Sequence, residues 1–174
     1  MTFPNIMEDF LRDPTPEHRD RLRAAIMDAP RYDPLVSIAG LLADGSGTDT
    51  STDEAAAARA VIDTIWEHMP ALFLSPQAHL HLARAYSTVG AHKFSERERK
   101  LAALSLDSIR GDGTGGEDSP YQVLRVEDEY DLLASSRLRS VGQTLRESDE
   151  RAFDIHTLED GASLWFELLW RRRS

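Results

Sequence analysis

Residues 110–145 read RGDGTGGEDSPYQVLRVEDEYDLLASSRLRSVGQTL, and the fold turns on what this stretch is. Glycines, acids, a tyrosine and a glutamine are packed between a helical sequence and an alternating one. Gly111 and Gly113 suit the end of a helix followed by a sharp turn. A phosphate loop is a poor reading. It needs strand, glycine-rich loop and helix in that order with a Lys after the last glycine, whereas here a helix precedes, a strand follows and Asp112 would repel the anion. The stretch reads instead as the joint between a helical half, residues 1–110, and an α+β module, residues 111–174, sharing one core as a single compact domain.

Upstream of the joint, apolar residues recur at helical spacing. Phe3, Ile6, Phe10, Leu22 and Ile26 form a thin stripe, with Pro4 and Pro16 placed for first helical turns. LVSIAGLLA (residues 35–43) predicts a short, buried helix, and GSGTDTST (45–52) a loop whose tail, Ser51 or Thr52 with Asp53 and Glu54, caps the next helix. That helix carries Ala58, Ile62, Ile65, Trp66 and Met69 on one side. Then PQAHLHLARAYSTVG (76–90) and FSERERKLAALSLDSIR (94–110) make a helical hairpin. The order Leu82-Ala83-x-x-Tyr86-x-x-x-Gly90 resembles the first helix of a tetratricopeptide repeat, although Arg99 departs from it and no 34-residue period recurs.

Downstream, the period falls to two. YQVLRV predicts a strand and EDEYDLLASS a short helix. SVGQTLRE is a strand with Val141, Gln143 and Leu145 on one face. RAFDIHTL places Ala152, Asp154 and His156 opposite Phe153 and Ile155, and Asp160-Gly161 makes a hairpin turn. ASLWFELLW puts Leu164, Phe166, Leu168 and Trp170 on one face and Trp165 and Leu169 on the other, so helices should cover it. The expected fold is α+β, with N-terminal, tetratricopeptide-like helical hairpins packed on a small, mostly antiparallel C-terminal sheet with one short helix.

The chain has 174 residues with 30 acids against 20 bases, a formal net charge of −10. Such a field repels nucleic acid and anionic membranes, so the expected partner is another protein, one carrying basic charge. Cysteine is absent, which removes disulfide and thiolate chemistry. The N-terminus shows no secretory signal, and the longest apolar run is about half the ~20 residues a span needs. A cytoplasmic protein is expected.

Candidate chemistry is sparse. Asp112, Glu117, Asp118, Glu127, Asp128, Glu129 and Asp131 are oxygen ligands in number, but not at calcium-loop spacing, and such a run is expected to be solvated surface. His79 and His81, two apart on a helix, point about 200° apart and cannot share a metal. No metal or cofactor is expected. His156 with Asp154 on one strand face could act as an acid–base pair, although an exposed cross-strand polar face is the expected reading, and a small hydrolase using Asp112, Glu129, Tyr130 and His156 is the catalytic alternative. It requires those side chains to converge in a concave pocket. Arg171, Arg172 and Arg173 are expected to stay solvated.

Gln143 shares parity with core positions, and a buried amide without partners costs about 1–3 kcal/mol. It is therefore expected to tie the sheet to the 111–116 loop and to Tyr130.

The succession Gly111-Asp112-Gly113, strand, Glu129-Tyr130-x-x-Leu133, Gly142-Gln143, strand with Asp154, and a final aromatic strand resembles an uncharacterised bacterial domain-of-unknown-function family with tetratricopeptide-like helices. The likeness spans roughly residues 75–170, with YDP at 32–34 as a fainter match; Ser136-Arg137 and Trp165-Phe166-Glu167 depart from it. It implies architecture and carries no activity. The leading expectation is a non-catalytic interaction module, such as an immunity or adaptor protein. A further reading is a scaffold whose aromatic last strand is an uncovered edge.

Overall fold

A computed structural model of the chain describes residues 2–45, 53–111, 113–148 and 150–171. Among the described residues six helices come first: α1 (Phe3–Arg12), α2 (Pro16–Met27), α3 (Ile38–Gly45), α4 (Glu54–Glu67), α5 (Pro76–Thr88) and α6 (His92–Arg110). Then follow β1 (Tyr121–Val123), α7 (Val126–Ser135), β2 (Ser140–Ser148), β3 (Arg151–Leu158), β4 (Ser163–Leu168) and a 3-10 turn, Leu169–Arg171. The fold is α+β, helices first and sheet last.

Local chemistry sets the boundaries. Thr15 accepts from the His18 amide ahead of Pro16, Ser75 from Ala78 ahead of Pro76, and Asp53 from Ala55, each filling an orphan donor of a first turn. Ser51 and Thr52 lie outside the described residues. Gly90 takes φ +77° between α5 and α6, and the Ser95 hydroxyl reaches the buried Ala83 carbonyl at 2.7 Å, so the small residue brings the two helices close. The 35–43 segment differs from expectation. Its helix begins only at Ile38, the one residue of it that is buried, while Leu35 stands 74% exposed in the preceding turn. Pro34 breaks the helical path there, and its carbonyl is used by the Val126 amide.

The sheet order is β1-β4-β3-β2, with β2–β3 and β3–β4 antiparallel and β1–β4 parallel. It is therefore mixed. The reason is topological: a helix between β1 and β2 returns the chain to its starting end, so β1 and β2 run alike, and so does β4 two strands later. The aromatic strand β4 is internal, with β1 on one side and β3 on the other, which overturns the uncovered-edge expectation for it. The outer strands are β1, of three residues, and β2, of nine.

One sheet face packs under α7. Val123, Ala152, Phe166 and Leu168 meet Leu132 and Leu133 of α7 and Ile109 of α6, flanked by Leu164 and Trp170. Burying Phe166 completely contributes about 1.5–3 kcal/mol. Leu124 and Leu169 cross into the helical core with Phe10, Leu22, Ile26, Phe73 and Leu74. The two halves thus interlock across the joint. Among the described residues no helix is long and apolar enough to cross a membrane.

Candidate functional site

The acidic run of α7 is not solvated surface. Asp128, Glu129 and Asp131 are buried; Glu127, Glu129 and Asp131 each have a distant partner, and Asp128 a local set. Glu127 accepts from the Ile38 amide at 3.0 Å, fixing the start of α3. Asp128 accepts from the amides of Leu124 and Arg125 and lies 3.4 Å from the Arg125 guanidinium, which also donates to the Ala71 carbonyl. Asp131 accepts from Gln77 at 2.8 Å. Three acids in the first turn also suit the positive end of a helix. Burial pushes the Asp131 carboxyl up to about 7 against the opposing hydrogen bond from Gln77.

Glu129 and His156, each fully buried, meet at 2.8 Å through Oε2 and Nε2. The other ring nitrogen, Nδ1, lies 2.9 Å from the Ser140 hydroxyl, which itself donates to the Gly142 carbonyl. With its only proton committed to Gly142, Ser140 must accept from His156, so Nδ1 carries hydrogen. Nε2 then either accepts a proton from Glu129 or holds one against its carboxylate. Burial pushes the Glu129 carboxyl up to about 7, the His156 hydrogen bond opposing and the charge of Asp154 adding. Its second oxygen has no hydrogen-bond partner among the described residues, which favours the neutral acid over a buried carboxylate.

This constellation bears directly on the acid–base reading. The structure brings Glu129, Tyr130 and His156 together, the Tyr130 ring standing edge-on to the imidazole at 5.5 Å. It seals the pair beneath the helix, however, with neither side chain open to solvent. His156 is not paired with Asp154, whose carboxylate instead accepts from Gln143 at 2.8 Å. A serine receiving a proton from imidazole is the reverse of an activated nucleophile. Asp112 lies outside the described residues. Among the described residues no three His, Asp or Glu side chains gather as metal ligands would. His79 is buried against Glu98 and the Phe73 carbonyl, whereas His81 is half-buried on another side of α5.

Gln143 departs in part from expectation. Its parity is right, since it pairs with His156 and faces α7, and it accepts from the Tyr130 hydroxyl at 2.8 Å. Yet it is exposed and makes no bond to the described residues of the glycine loop, because β2 projects beyond the helical cover. The loop docks on the sheet by itself: the Gly115 carbonyl accepts from the Trp165 amide, and a Cβ at Gly115, where φ is +78°, would sit 2.5 Å from Leu164. Gly111, at φ +46°, ends α6 as expected, and Gly113 lies so close to the Pro120 carbonyl that a side chain would collide. Gly142 sits in the edge strand opposite Thr157. Arg171 pairs with Glu147 at 2.9 Å, and Arg172 and Arg173 lie outside the described residues.

What remains open is the β2 edge. Residues Val141 to Ser148 are all exposed, Val141 at 63% and Leu145 at 48%, and the register is regular from Gly142 to Ser148 after an irregularity at Val141. Its outer backbone groups have no strand partner among the described residues. Beside it, on the α7 face, runs a largely apolar groove of about 350 Å³ lined by Leu35, Val126, Leu145, Leu168 and Trp170, with the Asp154 carboxylate and Arg171, itself paired with Glu147, in its wall. Long exposed edges are usually shortened, charged or covered. Leu35 and Trp170 were legible only as apolar residues; their convergence with Leu145 comes from the fold. No family model, curated protein or solved structure matches the chain.

Proposed function

We propose that the chain is a non-catalytic, cytoplasmic protein-interaction module that receives an extended segment of a basic protein along β2. The open edge lying next to the groove carries this reading. In strand addition the backbone supplies affinity and pockets beside the edge supply specificity. Here every second side chain of the incoming strand would enter the groove, apolar against Leu35 and Trp170 and cationic near Asp154. The formal charge of −10 attracts such a partner and raises its encounter rate at low ionic strength. An immunity or adaptor protein that masks or carries a basic effector fits this description. The GDG–EY–GQ succession would then be the framework of one bacterial module, since its residues build the joint and the anchor of the edge.

Site-specific photo-crosslinking in the native cell tests the proposal. A crosslinker at Thr144 should yield one predominant adduct with a basic protein, while the same group at Glu96, exposed on α6, should not. No adduct, the same adducts from both positions, or an acidic partner would overturn it.

A further inference from the structure

On the other side of the joint, four arginines converge on a chain that is acidic overall. Arg19 and Arg23 of α2, Arg110 at the end of α6 and Arg151 of β3 line a cleft of about 260 Å³, with Asp20 and Glu167 the acids in its wall among the described residues. The cleft is made jointly by the helical half, the glycine turn and the outer face of the sheet. We infer that this cleft is a binding site for a small, hydroxyl-bearing phosphate monoester.

The cations are held rigidly. Arg23 is 3% exposed; its guanidinium donates to Gln122 Oε1 at 2.7 Å, to the Ser108 carbonyl and to Asp20 at 3.3 Å. Arg19 lies across Gly111, where a Cβ would approach its Nη1 to 2.9 Å, so glycine there serves both the positive φ and the seat of the guanidinium. Arg151 is fixed by a two-point pair with Glu167, at 2.8 and 2.7 Å, and lies over the Phe153 ring. That pair leaves Arg151 its Nη1, and a guanidinium nitrogen positioned in this way suits a phosphate oxygen and loses little freedom on binding it. Arg19 and Arg23 also crowd each other: burial, and next to it the Arg19 charge, lower the Arg23 pKa to about 10, which still leaves it a cation at neutral pH. A seated anion relieves that crowding.

Size and charge select the ligand. The cleft admits a small molecule, and the net charge of −10 disfavours a polyanion such as nucleic acid. The carboxylates of Asp20 and Glu167, set among the arginines, keep lone pairs suited to hydroxyl groups on the organic part. The site is independent of the β2 edge, so either can fail without the other.

Titration of the isotopically labelled chain with glycerol phosphate, followed by amide NMR at constant ionic strength, tests the inference, with inorganic phosphate and sulfate as comparison anions. Saturable shifts should centre on Gly111, Gly113 and Gln122. Arg19→Gln and the more exposed Arg110→Gln should each weaken binding about tenfold or more, as expected for a lost charged hydrogen bond, while Arg139→Gln, just before β2, should leave it unchanged. Folding of each variant is read from the same spectra, and Arg110→Gln carries the test if Arg19→Gln is unfolded. Unsaturable shifts, shifts scattered over surface basic residues, or equal weakening by Arg139→Gln would overturn the site. Equal affinity for inorganic phosphate would overturn its selectivity for a hydroxylated ester.

Discussion

Replacing Glu129 by glutamine isolates the proton that the buried pair is argued to hold. The Glu129 carboxyl goes from 4.5 to about 7 on folding, so the folded chain binds this proton more tightly than the unfolded one. At pH below 4.5 both states are protonated and burial of the acid has no ionisation cost. As pH rises the unfolded chain ionises first, and the folded state loses stability until the pH passes about 7. At ~1.4 kcal/mol per tenfold change in proton affinity, the loss approaches roughly 3 kcal/mol. Glutamine keeps the shape and donates to His156 Nε2 as the neutral acid does, but has no proton to lose. Urea denaturation of both proteins at pH 5 and pH 8 should show the variant near wild type at pH 5. At pH 8 it should be the more stable by about 2–3 kcal/mol. The Asp131 contribution is common to both and cancels. A variant weaker by the same amount at both pH values would refute the reasoning, since it would mean an ion pair rather than a neutral acid.

Other substitutions probe the remaining supports. Arg125→Met leaves the buried Asp128 without its cation and should cost about 3–5 kcal/mol in urea denaturation; Arg125→Met with Asp128→Asn should recover part of it, and a single-variant loss under about 1 kcal/mol would contradict the pairing. Gln143→Leu removes the link between Tyr130 and Asp154 and should cost about 1 kcal/mol; an unchanged denaturation midpoint would place that amide in the role of a solvated group. Gly115→Ala meets both a positive φ and contacts of 2.5 and 2.6 Å with Leu164 and Tyr121, so thermal unfolding should report a loss of about 2 kcal/mol or more.

Periodicity made much of the fold readable. The drop from helical spacing to alternation after Gly116 located the sheet, and the parity of Leu164, Phe166 and Leu168 named its buried face. Strand order was not readable, because alternation records which face a residue takes and not which neighbour its strand has. Parity accordingly put Gln143 on the right face while leaving open whether any helix reached over it. The acids of α7 look like surface in sequence since their partners Ile38, Gln77 and His156 lie 89, 54 and 27 residues away. His156 did carry a signal, sharing a face with Ala152 on a strand whose neighbour was apolar. Arg19 and Arg23 carried another: they fall on the helical stripe of Leu22 and Ile26, where a charged side chain is drawn into the interior and needs an anionic or carbonyl partner.

The central claim is that β2 is the working surface and the chemistry beneath it is support. Hydrogen–deuterium exchange of the peptide spanning residues 140–148, followed with and without the protein crosslinked at Thr144, tests this most directly. Strand addition predicts that the outward amides of β2 slow by at least about tenfold when the partner is present, with α4 unaffected. Unchanged exchange in β2, with protection appearing on the helices instead, would contradict it.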